Sequence, residues 1–321
     1  MQAAVLRTFG QPPRFETFEE PVPGSGEVRV HMEAAAVKPL DHAVASGGHY
    51  ASYRSLPVVA GTDGVGRLDD GRRMFVGRTR APFGTMAEWT VAPAAACLPI
   101  PEGVDPRAAA AALNPGLSAW SALEFRAHLA RGESVMVLGA TGTAGRLAIR
   151  ISRILGAHTV VAVAREGPAL EGLRSEGADA IVSIGKGGDD LVNALARSMG
   201  DSHVSVVLDY LSGPPAEAVI RALARPDLFP PTERPIRYVQ IGDSAGPMLS
   251  FPAAILRSRF IEIMGLGLGT LPPGETLART AQMLLGGLLR GELSVPFEPV
   301  PLSDVESAWM RKGSPRVVIV P

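Results

Sequence analysis

The sequence has 321 residues, with 31 Lys and Arg against 32 Asp and Glu and a formal net charge of −1. Hydrophobic residues make up 46% and charged residues 20%, a composition typical of a globular chain, and the length is sufficient for two domains. The balanced charge argues against a nucleic-acid partner, and no apolar run reaches the roughly 18 residues of a membrane span.

The cysteine content limits the chemistry and the compartment. A single cysteine, Cys97, cannot form an internal disulfide or supply the thiolates of a structural zinc site. It lies among Ala, Val and Leu, which predicts a small buried side chain. The N-terminal segment carries charge and proline before an apolar run could reach signal-peptide length. We expect a cytoplasmic protein.

The first third of the sequence contains short apolar runs bounded by Gly and Pro. These runs are QAAVL, EVRVHMEAAAV, LPVVAG, DGVGRLDDG, RMFVG and MAEWTVAP. EVRVHM alternates apolar and polar residues, as a half-buried strand does. Several such runs at short spacing predict a mainly-β sandwich or partial barrel with few helices before residue 105.

From Ala108 onward, apolar strands, glycines and amphipathic helices alternate regularly. Six strands are predicted, over residues 134–139, 159–164, 180–184, 204–209, 237–242 and 260–265. The helix between the first two has one apolar face, formed by Ala144, Leu147, Ala148, Ile151 and Leu155. Gly156 is predicted to end this helix. The alternation predicts an α/β fold with a doubly wound, six-stranded parallel Rossmann sheet.

The remaining segments interrupt this rhythm. Residues 227–237 are proline-rich and predict an exposed loop. After Leu268, helices are predicted over 275–289 and around 303–310, with a last strand over 316–320. We expect this tail to return to the first domain. The predicted domains are therefore 1–117 with 268–321, and 118–267.

A glycine-rich turn follows the first Rossmann strand and opens the next helix. Its predicted cofactor contacts are Gly139, Thr141, Gly142, Thr143, Ala144 and Gly145. In such a turn backbone N–H groups approach a pyrophosphate, and the helix N-terminus adds partial positive charge. Within a strand, helix, strand unit the motif predicts dinucleotide binding.

The residue that ends the second strand predicts which dinucleotide binds. An acidic residue there pairs with the ribose hydroxyls of NAD, whereas arginine accommodates the 2′-phosphate of NADP. Arg165 occupies this position, 20 residues beyond Gly145, and predicts NADP. Glu166 follows directly and would reverse the preference if it faced the ribose.

Six segments of the sequence, in their order and spacing, resemble a known family. They are PVVAGTDGVGRL (57–68), FGTMAEWTVAP (83–93), AAAALNPGLSAW (109–120), VMVLGATGTAGRLAIRISRILGA (135–157), VVLDYLSG (206–213) and PRVVIV (315–320). They are similar to medium-chain dehydrogenases/reductases of the quinone oxidoreductase, zeta-crystallin-like, branch. The resemblance covers the whole chain. It implies a GroES-like first domain completed by the C-terminal segment, a Rossmann domain, and NADPH in the cleft.

The resemblance also bears on metal binding. Zinc alcohol dehydrogenases of the wider superfamily hold their catalytic metal with a cysteine, a histidine-glutamate pair and a second cysteine. The matching positions here are Lys38, Thr62, Asp63 and Asn114, which do not make a zinc site. Without this Lewis acid, reduction is favoured over alcohol oxidation. We expect a zinc-independent enzyme that transfers hydride from NADPH to a quinone or related activated carbonyl compound.

Two other functions fit the same sequence. One is a double-bond reductase of enals, enones or enoyl thioesters, which uses the same hydride. The other is a non-catalytic NADPH-binding sensor or structural protein, since the GATGTAG string also resembles redox-sensor folds.

The resemblance assigns further site residues. Tyr50 is the predicted proton donor, and Lys38, which replaces the family's asparagine, is predicted to donate to a ribose hydroxyl or a substrate oxygen. Predicted cofactor contacts outside the glycine turn are Ser118, Arg165, Gly242, Gly265 and Arg316. The family also implies a homodimer, formed near the sixth Rossmann strand.

Overall fold

The apolar runs of the sequence form strands and helices in a computed structural model that describes residues 1–185, 188–199, 203–224, 234–311, 313 and 315–321. The chain divides into two units. The first contains Met1–Asn114 and Gly274–Pro321, and the second contains Pro115–Pro273. The predicted domain boundaries lie three and six residues from these divisions.

The N-terminal segment is mainly β, as its short apolar runs predict. Its elements are β1 (Gln2–Leu6), β2 (Arg14–Thr17), β3 (Glu27–Ala36), α1 (Pro39–Ala45), β4 (Val58–Val59), β5 (Gly64–Arg67), β6 (Arg73–Val76), β7 (Trp89–Pro93) and β8 (Cys97–Pro99). The alternating run EVRVHM lies in β3, the longest of these strands. Cys97 is buried, which confirms its predicted environment.

The second part of the chain alternates strands and helices. Its elements are α2 (Pro106–Trp120), a π-helical segment (Ser121–Arg126), β9 (Ser134–Leu138), α3 (Thr143–Ile154), β10 (Thr159–Ala164), α4 (Pro168–Glu171), β11 (Ala180–Ser183), α5 (Gly188–Met199), β12 (Val206–Asp209), α6 (Gly213–Leu223), β13 (Ile236–Gln240), α7 (Ile255–Ser258) and β14 (Ile261–Gly265). The C-terminal segment adds α8 (Gly274–Leu289), β15 (Phe297–Pro301), α9 (Val305–Trp309) and β16 (Arg316–Val320).

The second unit contains a six-stranded sheet with the order β11-β10-β9-β12-β13-β14, and all its strand pairs are parallel. All six predicted strands are present, with ends shifted by at most two residues. The strand order reverses between β9 and β12, the point where doubly wound sheets bind ligands beyond their carboxyl ends. The predicted fold class is confirmed.

Helix α3 covers this sheet with the apolar face that the sequence predicts. Leu147, Ala148 and Ile151 are buried on it. The helix ends at Ile154 with Leu155 as its C-cap, and Gly156 follows with a φ of +92°, the left-handed conformation that glycine adopts without strain. The spacing of apolar residues and the terminal glycine therefore set both the orientation and the length of α3.

The first unit contains two sheets. A three-stranded sheet has the order β2-β1-β4, and a seven-stranded sheet has the order β15-β16-β3-β5-β6-β8, with β7 pairing with β3. Strand β16 from the C-terminus pairs antiparallel with β3, where Val318 is opposite Ala36. The C-terminal strand thus completes a sheet whose other strands include β3, from the N-terminal part of the chain.

Two sequence predictions concern segments outside these sheets. In the predicted loop 227–237, residues 227–233 lie outside the described residues. Within the part of the chain that the structure describes, no helix is both long and apolar enough to span a bilayer.

Candidate functional site

The glycine-rich turn lies between β9 and α3, at the carboxyl end of the parallel sheet. Gly139 has a φ of +85°. Its N–H and that of Ala140 donate to the carbonyl of Val163 on β10, at 2.8 and 3.1 Å. The N–H of Gly142 returns to the carbonyl of Gly139 at 3.1 Å. These bonds bring the start of α3 directly over the sheet edge.

Gly145 determines how closely α3 approaches the turn. A Cβ atom at this residue would lie 2.4 Å from the carbonyl oxygen of Gly139 and 2.6 Å from Cα of Ala140. At Gly142 the corresponding distance to the Gly139 oxygen is 3.4 Å, an ordinary contact. The first N–H groups of a helix have no acceptor within the helix. The turn therefore fits the pyrophosphate of a dinucleotide, which needs close backbone approach and N–H donors.

Arg146 supports this turn from within α3, a role that the sequence analysis missed. Its Nε donates to the carbonyl of Thr141 at 3.2 Å, and its guanidinium pairs with Glu176. A basic residue directly after the third glycine was the available signal. Through these contacts, the guanidinium of Arg146 links the turn at Thr141 to Glu176.

The predicted phosphate contact lies at the end of the neighbouring strand. Arg165 follows the last residue of β10 and is exposed, as is Glu166. A guanidinium can form bidentate, charge-assisted hydrogen bonds with a phosphate. The structure thus gives Arg165 the position that the sequence predicts for the residue that distinguishes NADP from NAD.

Two further predicted contacts, Gly242 and Gly265, lie at the same edge of the sheet. The N–H of Gly242 donates to the carbonyl of Asp209 at 3.1 Å, and a Cβ there would lie 2.9 Å from the carbonyl of Tyr210. Gly265 ends β14 and is exposed. Gly242 thus needs its small size for packing, whereas a Cβ at Gly265 would lie 4.0 Å from the carbonyl oxygen of Gln240, an ordinary contact. Ser118, another predicted contact, is half-buried on α2.

A buried carboxylate orders the turn that follows β12. Oδ1 of Asp209 accepts the N–H groups of Leu211 and Ser212 at 2.8 and 2.9 Å, and the hydroxyl of Tyr238 donates to Oδ2 at 2.8 Å. Burial raises the pKa of Asp209. These bonds hold Ser212 at a φ of +56°, a conformation rare for residues other than glycine.

Tyr210 follows this carboxylate and borders the glycine-rich turn. A Cβ at Gly139 would lie 3.3 Å from Cβ of Tyr210. The hydroxyl of Tyr210 is buried and has no hydrogen-bond partner among the described residues. Burial raises the pKa of this phenol above its ordinary value. The sequence analysis missed this residue, although its place at the end of a predicted strand was visible.

The first unit contains a separate, buried cluster of charges where α1 begins. Nζ of Lys38 lies 3.0 Å from Oδ2 of Asp41 and 3.2 Å from Oδ1 of Asp63, and it donates to the carbonyl of Ala36 at 2.9 Å. Lys38, Asp41 and Asp63 are each 2% exposed. Burial disfavours the ammonium, but the two carboxylates raise the pKa of Lys38 above its ordinary value. Lys38 is therefore charged.

Neighbouring polar groups fix both carboxylates. Oδ1 of Asp41 accepts the backbone N–H and the hydroxyl of Thr62, at 2.8 and 2.9 Å. Nδ2 of Asn114 donates to Oδ2 of Asp63 at 2.8 Å. The four positions that match zinc ligands in the wider superfamily, Lys38, Thr62, Asp63 and Asn114, are therefore brought together in space.

The chemistry of these side chains does not fit zinc. A charged ammonium has no lone pair to donate, and zinc sites use thiolate, imidazole and carboxylate ligands. Among the described residues, no group of three or more His, Cys, Asp or Glu side chains is arranged to hold a metal ion. The cluster is an ion-pair network.

Two other predicted residues belong to the first unit. Arg316, at the start of β16, is half-buried. Burial lowers its pKa, while the charges of Asp41 and Asp63 act in the opposite direction. Tyr50 is 73% exposed, and its ring lies 4.1 Å from the ring of His49. Arg316 thus contributes to the field of the Lys38 cluster, whereas Tyr50 lies on the surface of this unit.

Comparisons with known proteins identify relatives and structural neighbours. A scan against models of protein families finds no match. The chain is similar to the probable NADPH-dependent quinone reductase tdiC of Emericella nidulans, with 36% identity over 236 residues that cover 68% of this chain and 63% of that protein. It is 29% identical to the trans-enoyl reductase pgmF of Aspergillus terreus over 181 residues, 51% of this chain and 50% of that protein. The chain thus aligns with less than two thirds of the length of each relative.

A solved structure resembles the whole chain. The quinone oxidoreductase of Thermus thermophilus, whose structures include a complex with NADPH, has a TM-score of 0.79 and 27% identity, with 100% of both chains covered. The fold of the chain matches that of this quinone oxidoreductase. The relatives and structural neighbours of the chain thus include quinone oxidoreductases of the zinc-independent, medium-chain dehydrogenase/reductase type. The resemblance seen in the sequence is confirmed.

Proposed function

We propose that the protein is a zinc-independent, NADPH-dependent oxidoreductase that transfers a hydride to a quinone or a related activated carbonyl compound. The observation that carries this proposal is the tight Gly139–Gly145 turn with the exposed Arg165 at the end of the adjacent strand. The names of tdiC and of the Thermus thermophilus enzyme support the cofactor and the acceptor class.

The second unit supplies the cofactor-binding residues in this proposal. The N–H groups at the start of α3, from Thr143, Ala144 and Gly145, bind the pyrophosphate, because the N-terminus of a helix directs N–H groups and partial positive charge toward an anion. Thr141 and Ser118 offer hydroxyls, and Gly242 and Gly265 keep the strand ends open. Arg165 pairs with the 2′-phosphate. When bound, NADPH supplies the hydride.

In this proposal, the first unit supplies the buried Lys38 ammonium and the proton donor Tyr50. Nζ of Lys38 donates to the carbonyl of Ala36 and is ion-paired with Asp41 and Asp63, so Lys38 acts as a positioning residue rather than as a proton donor. Tyr50 is the proposed proton donor, because its exposed side chain is accessible to an acceptor. Tyr50→Phe is then expected to lower kcat and to leave the Kd of NADPH unchanged. An unchanged kcat would exclude this role.

A second reaction is supported by the trans-enoyl reductase among the relatives. In that reaction the hydride adds to the β-carbon of an enal, enone or enoyl thioester. Both reactions need an acceptor whose oxygen is stabilised, so the residues described here serve either one.

A cytoplasmic location and a homodimer also belong to the proposal. Phe260, 54% exposed beside the edge strand β14, supports an interface there. A monomer in light scattering at micromolar concentration would reject the dimer.

The acceptor class is tested by oxidation of NADPH and NADH with 1,4-benzoquinone, 9,10-phenanthrenequinone and a 2-alkenal. We expect turnover of the quinones with preference for NADPH. Turnover of the alkenal alone would replace the first proposal by the second. NADPH binding without turnover of any acceptor would support the third function, a non-catalytic sensor or structural protein.

A further inference from the structure

Tyr210 carries a buried polar atom that the fold itself does not satisfy. The residue is half-buried, but its hydroxyl oxygen is closed to solvent and has no hydrogen-bond partner among the described residues. By contrast, the hydroxyl of Tyr238, in the same unit, donates to Oδ2 of Asp209 at 2.8 Å. Buried polar groups are normally hydrogen-bonded, because burial without a partner destabilises the folded state. The unpaired hydroxyl of Tyr210 therefore indicates a partner that is not part of the fold.

Tyr210 lies at the point of the parallel sheet where a ligand is expected. It directly follows β12, and its N–H donates to the carbonyl of Leu138, the last residue of β9, at 3.2 Å. The strand order reverses between β9 and β12, and doubly wound sheets bind ligands beyond the carboxyl ends of such strands. A Cβ at Gly139 would lie 3.3 Å from Cβ of Tyr210. The phenol is therefore attached beside the first residue of the glycine-rich turn.

Hydrogen bonds hold the backbone on both sides of this phenol. The hydroxyl of Ser244 donates to the carbonyl of Tyr210 at 2.9 Å. The next two N–H groups, those of Leu211 and Ser212, donate to the buried carboxylate of Asp209 at 2.8 and 2.9 Å. Because these bonds fix the backbone, a ligand that binds beside the phenol can pair with its hydroxyl without a rearrangement of the loop.

The phenol of Tyr210 is suited to donate to an anion. Burial raises its pKa above the ordinary value, so the hydroxyl keeps its proton at neutral pH. Phosphate oxygens are strong acceptors, and hydrogen bonds to a charged acceptor are stronger than those between neutral groups. An anionic group beside Gly139 would therefore satisfy the hydroxyl that folding leaves unpaired.

We propose that Tyr210 is a cofactor-binding residue whose hydroxyl donates a hydrogen bond to a pyrophosphate oxygen of NADPH. It adds a side-chain donor from the end of β12 to the N–H donors at the start of α3. The unpaired hydroxyl destabilises the free protein, and the bound cofactor offsets this cost. The inference rests on the proposed function, because it takes NADPH as the ligand of the Gly139–Gly145 turn.

The test compares wild type with Tyr210→Phe, which removes one oxygen atom and keeps the ring. Three ligands are titrated by calorimetry: NADPH, 2′-phospho-ADP-ribose, which keeps the pyrophosphate but lacks the nicotinamide, and adenosine 2′-monophosphate, which lacks both. We expect Tyr210→Phe to raise the Kd of the first two by at least about tenfold, the value of one hydrogen bond to a charged acceptor. The Kd of adenosine 2′-monophosphate should stay within about twofold of wild type.

Thermal unfolding distinguishes this role from a structural one. Tyr210→Phe should raise the unfolding midpoint of the free protein, because it removes an unpaired buried hydroxyl. The same variant should gain less than wild type from a fixed concentration of NADPH, because its affinity is lower. The control Tyr238→Phe removes a hydroxyl that has an acceptor in the protein, so it should lower the midpoint of the free protein.

Equal Kd values of NADPH in wild type and Tyr210→Phe would overturn the inference and leave the proposed function standing. A loss confined to NADPH, with 2′-phospho-ADP-ribose unaffected, would also overturn it, because the hydroxyl would then contact the nicotinamide half. A destabilised or unfolded Tyr210→Phe protein would overturn it as well, because the hydroxyl would then have a structural partner. Absence of NADPH binding by wild type would overturn both this inference and the proposed function.

A fluorine label at the same residue gives an independent readout that does not need the hydroxyl to be removed. 3-Fluorotyrosine is incorporated at position 210 alone, and its fluorine NMR signal is followed during titration. We expect NADPH and 2′-phospho-ADP-ribose to shift this signal and adenosine 2′-monophosphate to leave it unchanged. A signal that does not move at saturating NADPH would contradict the proposed hydrogen bond.

Discussion

Substitution of Gly145 by Ala tests whether α3 lies so close to the glycine turn that residue 145 has no space for a side chain. The added methyl group would lie 2.4 Å from the Gly139 oxygen and 2.6 Å from Cα of Ala140, both backbone atoms that no rotamer change can move. Overpacking of this kind costs about 1–3 kcal/mol. We expect the unfolding midpoint to fall by about 2–4 °C for each kcal/mol.

Gly142→Ala is the matched control, because its methyl group would lie 3.4 Å from the same Gly139 oxygen. This change should leave the unfolding midpoint within about 1 °C of wild type, since the contact is an ordinary one. In a fluorescence titration, both variants should raise the Kd of NADPH by at least about tenfold. Gly145→Ala does so by moving the N–H groups that bind the pyrophosphate, and Gly142→Ala by obstructing access to them. A Gly145→Ala protein with wild-type stability would refute the packing argument, and unchanged NADPH affinity in both would refute the assignment of the turn.

Three further predictions concern the carboxyl edge of the sheet. Arg165→Asp should weaken NADPH binding by about 10- to 100-fold, the value of one or two charge-assisted hydrogen bonds, and leave NADH binding nearly unchanged. The control Glu166→Gln should affect the binding of both cofactors equally. Equal losses of NADPH and NADH affinity in Arg165→Asp would exclude Arg165 as the phosphate contact. Because burial raises the pKa of Asp209 above its ordinary 3.8, the folded state binds this proton more tightly. The unfolding free energy of wild type relative to Asp209→Asn should therefore decline as pH rises above about 4, and a pH-independent difference in chemical denaturation would contradict this. Tyr210→Phe removes a buried hydroxyl that lacks a partner among the described residues, so the unfolding free energy should rise by about 1 kcal/mol, and a decrease would reveal an overlooked bond.

The parallel sheet could be predicted because its signals are local. Strands β9 and β10 are largely apolar runs, the turn after β9 begins with Gly139, and α3 shows its buried face in the spacing of Leu147, Ala148 and Ile151. The ends of the strands were predicted less accurately than their positions in the sequence. The predicted strand at 204–209 begins at Val206, although the backbone of Ser205 already hydrogen-bonds to Ser134 and Arg237 on the neighbouring strands.

The Lys38 cluster shows what local signals do not contain. Asn114 and Asp63 meet although 51 residues separate them, and Asp41 and Thr62 meet across 21 residues. Family resemblance related these positions to one metal site but did not reveal that their charges pair with one another. The exposure of Tyr50 was equally hidden, since an aromatic residue beside glycines fits a packed or a surface position equally well.

We propose that this chain reduces quinones with NADPH and without a metal. The most direct measurement is the steady-state rate of NADPH oxidation by 1,4-benzoquinone for two samples: untreated protein, and protein treated with a metal chelator that is then removed. We expect quinone-dependent turnover with the same kcat in both samples and a clear preference for NADPH over NADH. Loss of activity on chelation, or binding of NADPH with no oxidation by quinone, would contradict it.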